Sequence, residues 1–340
     1  MPTRSGGGWR AWWRAAYARR PYLLYAIIIV VMLGYGCSLV TDQLVSRYEA
    51  STPRDAEGYL ADGGPIYLGP ADAPRAVLML HGFSGTPDAF HTLPEQIAAA
   101  GWRVEAPLLP GHGTSPRAME RTGAQAYIDF AAEAYAALRA RYETLVVLGH
   151  SMGGALATIV VADTYTAPPE GAGEGDAAAD NRVPLPPDGL ILPAPYYRVT
   201  HRWYYGLRPE QYMKMGSTAL RWVPGWREPV ARPEVDEVVS YSWIPAASIF
   251  PATELARRAR QPEVLGAIAC PTLVLHSVND RVTSYRAARA AFGHLGTEDR
   301  EFISLERSNH ILFWDYEREA VSEAILAFLA EVAALESAAL

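Results

Sequence analysis

The chain has 340 residues, 50% of them hydrophobic, enough for one large core and an insertion. Its formal net charge is −7, but the first twenty residues hold Arg4, Arg10, Arg14, Arg19, Arg20 and no acid. Removing that +5 leaves about −12, which argues against nucleic acid as a partner of the remainder.

In chain order, residues 1–20 read as a basic tail. Residues 21–41 carry no charge, and around Tyr22–Leu33 they are strongly apolar. As a helix this stretch is roughly 30 Å long, enough to cross a bilayer's hydrocarbon. Arg14, Arg19 and Arg20 precede it, Asp42 follows it, and Trp9, Trp12, Trp13 and Tyr22 suit an interfacial belt. The reading is a single-pass membrane anchor with the tail in the cytoplasm and the rest on the non-cytoplasmic side. The alternative is a cleaved signal or a lipoprotein site at Gly36-Cys37-Ser38, which Gly34 and Tyr35 fit poorly. Residues 42–64 are polar and read as a linker, running into a short strand or hairpin at Ala56–Leu60 and Ile66–Leu68.

From residue 65 a strand–helix rhythm sets in, the first part of a core over 65–195. Strands are expected at Ala76–Leu80, Trp102–Ala106, Thr144–Leu148 and Gly189–Leu192, with helices at Phe90–Ala100 and Ala124–Tyr142. Alternation of this kind means a mostly parallel sheet covered on both faces. Residues 167–187 are rich in Pro, Gly, Ala and Asp and read as a surface loop. Residues 196–262 break the rhythm and read as an aromatic-rich cap, with Trp203 and Trp222 expected to wall an apolar cleft. The core resumes over 263–340 with strands Pro271–His276 and Glu301–Leu305 and helices Tyr285–Phe292 and Tyr316–Ala338.

Chemistry concentrates at the carboxyl ends of these strands. Gly149-His150-Ser151-Met152-Gly153-Gly154 lies between strand Thr144–Leu148 and the apolar run Ala155–Ala162. A Gly-x-Ser-x-Gly in that context is a nucleophile elbow, a tight turn that lifts the serine hydroxyl clear of the sheet. A serine nucleophile needs a base, and the base needs an orienting acid. Asp280 follows strand Pro271–His276, and His310 follows Glu301–Leu305. Alone, Asp280 reads as a turn residue and His310 as a surface or capping histidine; together, in order and at equivalent strand ends, they complete a Ser-Asp-His set. His81 is read as fixing its own loop by hydrogen bonding. The two cysteines, Cys37 and Cys270, do not suggest a disulfide, and neither a metal-ligand cluster nor a phosphate loop appears. No cofactor and no metal are expected.

His81-Gly82-Phe83-Ser84-Gly85, Pro110-Gly111-His112-Gly113-Thr114-Ser115, the Ser151 elbow, the Asp280 loop and Asn309-His310 together resemble the α/β-hydrolase superfamily. Within it, they resemble the carboxylesterase and monoacylglycerol-lipase branch, often described alongside the serine aminopeptidase family. The resemblance covers about Pro65 to Leu340, departing from the pattern in the longer, looser Thr164–Asp188 segment. It implies that Ser151 attacks an acyl carbon, His310 carries the proton and Asp280 orients the imidazole. The backbone N–H groups of Phe83 and Met152 would form the oxyanion hole, and water would hydrolyse the acyl-enzyme. The expected substrates are small-molecule or lipid esters of short to medium acyl length, or monoacylglycerol-like. Two alternatives stay open on the same three residues. One is an aminopeptidase, with Glu234, Asp236 and Glu237 holding a free amino group; the other is an acyltransferase.

Overall fold

Short apolar runs bounded by turn residues become strands here because both faces of the sheet are covered, so alternate side chains of one strand enter different cores. The computed structural model describes residues 8–166, 185–200, 211, 216–217, 220–225, 230–232 and 238–339; the side chains of 8–23, 26, 27, 30, 31 and 336–339 lie outside the description. Its strands are β1 (Ile66–Leu68), β2 (Arg75–Leu80), β3 (Arg103–Ala106), β4 (Thr144–Gly149), β5 (Gly189–Pro193), β6 (Trp222–Pro224), β7 (Trp243–Pro245), β8 (Thr272–Ser277) and β9 (Arg300–Leu305). The main sheet runs β1-β3-β2-β4-β5-β8-β9, with β1 antiparallel to β3 and every other pair parallel. Strands β6 and β7 form a separate antiparallel pair, with Trp222 opposite Pro245.

The helices are α1 (Gly8–Ser51), α2 (Leu93–Ala99), α3 (Pro116–Glu120), α4 (Ala124–Arg139), α5 (Met152–Asp163), α6 (Ile249–Ala259), α7 (Pro262–Ala267), α8 (Tyr285–Phe292) and α9 (Arg318–Ala339). Leu145 and Val147 of β4 face a cluster that includes residues of α4, α5 and α6. Val146 and Leu148 face the opposite cluster, with Leu93 of α2 and Val321, Ile325 and Leu329 of α9. Helix α5 is buried nearly all round, which is why its sequence shows no polar stripe.

Four expectations need correction. Residues 42–51 are not linker but the end of α1, and the expected Ala56–Leu60 strand reduces to one bridge between Arg54 and Leu60. Asp42, Ser46 and Glu49 recur on one helix face and all meet Arg117, so this polar stretch is docked rather than solvated. The cap does not extend to 262: Ala252, Leu255, Ala256 and Ala259 of α6 and Leu265 of α7 belong to the main core. The small-residue face of α6 seats against α5 and was hidden in the sequence by the aromatics before it. Trp222, expected to wall a cleft, is 2% exposed and packed beside α1 and α3. Trp203, Glu234, Asp236, Glu237 and most of the 167–187 loop lie outside the described residues.

Among the described residues no helix is long and apolar enough to cross a membrane. The expected 21–41 span lies within α1, and several of its side chains are outside the description; Leu24, Tyr25, Ile28, Ile29, Met32 and Leu33 are exposed. Cys37 is exposed and Cys270 buried, and both are free thiols.

Candidate active site

Register brings the ends of β2 and β4 together, with Leu80 opposite Gly149, so the loop after β2 and the turn after β4 leave the sheet side by side. In that turn Ser151 has φ 54° and ψ −118°, a conformation L side chains rarely hold. The turn closes because its glycines have no side chain: a Cβ on Gly153 would lie 2.0 Å from the Leu80 carbonyl oxygen, and one on Gly149 would lie 2.3 Å from that of Gly153. Ser151 is thereby presented at the N-terminus of α5.

The two partners arrive from neighbouring strands. His310, in the loop after β9, places Nε2 2.9 Å from Ser151 Oγ. Its Nδ1 lies 2.8 Å from Oδ2 of Asp280, in the loop after β8. The carboxylate accepts the Nδ1 proton, which fixes the tautomer and leaves Nε2 free to accept from the serine hydroxyl. Asp280 is itself held: Oδ1 accepts the N–H groups of Val282 and Thr283 at 2.7 and 2.8 Å, and Oδ2 accepts the Thr283 hydroxyl at 2.7 Å. Burial alone would raise its pKa, but His310, His276 and the Thr283 hydroxyl together outweigh that and hold the carboxyl below its ordinary value.

Sequence reasoning missed the residues that fix these loops. Thr283 caps Asp280, and its spacing in Asp-x-x-Thr was the available signal. His276 stands behind the pair with Nε2 3.9 Å from Asp280 Oδ2, and burial lowers its pKa. Asn309 accepts the Arg281 N–H at 3.0 Å, tying the two loops together. Glu317 accepts the N–H groups of Glu306, Arg307 and Ser308 at 3.0, 2.9 and 2.8 Å, holding the approach to His310.

On the other side of Ser151, a Cβ on Gly82 would meet Ser151 Cβ at 3.2 Å, so the loop carrying Phe83 runs directly over the serine. Met152 opens α5, where the N–H has no partner within the helix. His81 accepts the Leu109 N–H at Nε2 (3.0 Å) and turns Nδ1 to the Gly82 carbonyl (3.0 Å), which makes it a brace of this loop. Burial lowers the pKa of His112 to about 4 and that of His150 to about 3, so both are neutral at neutral pH. Tyr241, between β6 and β7, donates its N–H to the Ser84 carbonyl at 3.2 Å, so the hairpin also touches this loop. Among the described residues no cluster is suited to a metal ion.

The family model described as serine aminopeptidase, S33 matches residues 71–317. The chain is 30% identical to a thermostable monoacylglycerol lipase of Bacillus sp. (strain H-257) over 277 residues, 81% of this chain and 95% of that protein. It is 23% identical to a carboxylesterase of Bacillus subtilis (strain 168) over 261 residues, 75% of this chain and 92% of that one. Among solved structures, one from work on LipS and LipT, two metagenome-derived lipolytic enzymes, superposes with a TM-score of 0.66 at 25% identity. That superposition covers 79% of this chain and 98% of the other.

Proposed function

Because the chain belongs to the serine aminopeptidase, S33 family and is a carboxylesterase- and lipase-like hydrolase within it, we propose that it cleaves carboxylic esters of short to medium acyl chains or monoacylglycerol type through an acyl-enzyme. The reading rests on the relay from Ser151 Oγ to His310 Nε2 (2.9 Å) and from His310 Nδ1 to Asp280 (2.8 Å).

Ser151 Oγ attacks the ester carbonyl carbon while its proton passes to His310 Nε2. The oxygen gains negative charge beside the N–H groups of Phe83 and Met152, and losing one such donor typically costs about 10²–10³ in turnover. The tetrahedral centre collapses, the C–O bond to the alcohol breaks, and the imidazolium returns its proton to the leaving alkoxide. Water then gives a proton to His310 as it attacks the acyl carbon; the bond to Ser151 Oγ breaks, His310 returns the proton to Oγ, and the acid leaves. Asp280 keeps its charge throughout and stabilises the imidazolium.

The family's description favours a second reading, hydrolysis of aminoacyl amides. A panel of matched esters and amino-acid amides separates the two. Ester turnover exceeds that of the amides in this account, and efficiency rises with acyl length by up to about fourfold per methylene, from ~0.8 kcal/mol each. Preference for free-amino substrates overturns it. The same proposal places α1 across the bilayer through residues 21–41, with the hydrolase on the non-cytoplasmic side. The uncharged run, the arginines before it and the exposed Leu24, Ile28, Ile29, Met32 and Leu33 support this.

A further inference from the structure

The polar end of α1 does not stand free. Asp42 Oδ1 accepts from Arg221 Nη1 at 2.9 Å and from Trp222 Nε1 at 3.0 Å, and lies 3.0 Å from Arg117 Nη1. One carboxylate oxygen therefore joins α1 to α3, through Arg117, and to the β6–β7 hairpin, through Arg221 and Trp222. The Trp222 ring has a guanidinium on each of two contacts, Arg117 at 5.4 Å and Arg221 at 5.1 Å from its centroid. Arg221 also grips Glu120 of α3 through Nε and Nη2, both at 2.7 Å. Glu49 takes Arg117 Nε at 3.0 Å together with the Ser115 hydroxyl. A lone exposed ion pair contributes little, but several charges sharing partners around a buried indole hold one geometry.

The place of this node on α1 matters more than its strength. Ser38 accepts the Arg221 N–H at 3.2 Å, so Ser38 and Asp42 bracket Thr41, the last residue of the uncharged run. The helix passes from that run into the node without a break. On the far side of the hairpin, Tyr241 bonds the Ser84 carbonyl at 3.2 Å and accepts the Thr114 N–H at 2.9 Å. Phe83 packs against the cluster formed by Tyr241, Ile244, Leu60 and Met119. The β6–β7 pair, with Arg221 and Tyr241 beside it, thus links the end of the uncharged helix to the loop over Ser151.

We propose that α1 is a rigid strut which seats the β6–β7 hairpin at the bilayer surface, so that the enzyme takes as substrate ester lipids lying in the adjacent leaflet. This rests on the membrane reading above. The hairpin's contacts lie within about one helical turn, ~5 Å, of the end of the span. The occupant of the surface formed by the exposed Leu24, Ile28, Ile29, Met32, Leu33 and Leu39 is the bilayer, since the run has the length and the flanking charge for it.

The test uses the full chain reconstituted in phosphatidylcholine vesicles, with a long-chain monoacylglycerol in the bilayer and a short water-soluble ester as substrates. Inserting Gly-Ser-Gly-Ser after Thr41 keeps the Asp42 and Glu49 contacts but detaches Ser38 from Arg221 and turns the strut into a tether. The expected result is a fall of about tenfold in bilayer-ester hydrolysis, the order for exchanging fixed orientation for a flexible link, with soluble-ester hydrolysis unchanged. Asp42→Asn, which keeps the shape and removes the charge, lowers the same ratio. An unchanged ratio in both variants, with the chains still floating with the vesicles at alkaline pH, overturns the strut alone. A parent chain that does not float overturns the anchor and the strut with it, as does concentration-dependent pairing of two copies through α1 without flotation.

Discussion

Asp315 holds Asn309, the residue before His310, by accepting its N–H at 2.7 Å on Oδ2; the same oxygen accepts the N–H of Ala231 at 2.6 Å. Oδ1 accepts the Tyr316 N–H at 2.8 Å, and the side chain is fully buried. The backbone leading into His310 and the residue Ala231 of the insertion therefore share one carboxylate. Asp315→Ala leaves these donors unpaired, each buried one costing about 1–3 kcal/mol, so denaturant melts shift to lower stability. Turnover falls more than KM rises, because the change displaces His310 and leaves the ester's binding surface in place. Unaltered kcat in a folded Asp315→Ala protein would contradict this.

Asp280→Asn tests the acid. The amide cannot hold the imidazole in the tautomer that receives the serine proton, and turnover drops by about 10⁴ with the fold retained. The substitution also has a signature in stability. The Asp280 carboxyl sits below its ordinary value in the folded chain, so its contribution is present above the unfolded pKa and lost as pH falls through the folded one. Melting temperature therefore declines less for Asp280→Asn than for the parent as the pH is taken from 5 down to 2. Parallel declines would remove the charged pair from the account.

The elbow makes a paired prediction. Gly153→Ala sets a methyl 2.0 Å from the Leu80 carbonyl oxygen, where the sheet and α5 meet and neither backbone can retreat. Activity is lost and stability falls by several times the ~1 kcal/mol typical of mild overpacking. Gly266→Ala in α7 meets nothing nearer than 3.9 Å and gains up to about 1 kcal/mol from helix propensity. Circular-dichroism melts of the two variants read the contrast directly.

The placement of Ser151, Asp280 and His310 was legible in the sequence because each lies just after a strand. Runs such as Thr144–Leu148 and Pro271–His276 are apolar throughout, as strands covered on both faces must be, and Ser151, Asp280 and His310 each follow one. What escaped notice was held by tertiary contact. Asp315 and Glu317 look like ordinary acids at a helix start, and only the fold turns them towards the His310 loop. Asp42, Ser46 and Glu49 read as a solvated linker because Arg117, their partner, lies about seventy residues away in the chain. Trp222 misled by composition: an aromatic in an insertion suggests a cleft wall, but its indole N–H found Asp42 instead.

The membrane reading has its own check. A reporter active only outside the cytoplasm, fused after Asp42, gives signal, and the intact chain resists extraction by high salt and alkaline pH. Release of a shortened soluble form means a cleaved leader, and loss of membrane association on Cys37→Ser alone means a lipoprotein.

Covalent labelling with a fluorophosphonate, read by mass spectrometry of the digested protein, tests the central claim most directly. The reagent should modify the parent chain once, on the peptide containing Ser151, with ester hydrolysis lost in step with labelling. Ser151→Ala should take up no label and hydrolyse no ester. Label retained by folded Ser151→Ala, or found on another serine in the parent, would contradict the assignment of Ser151 as the nucleophile.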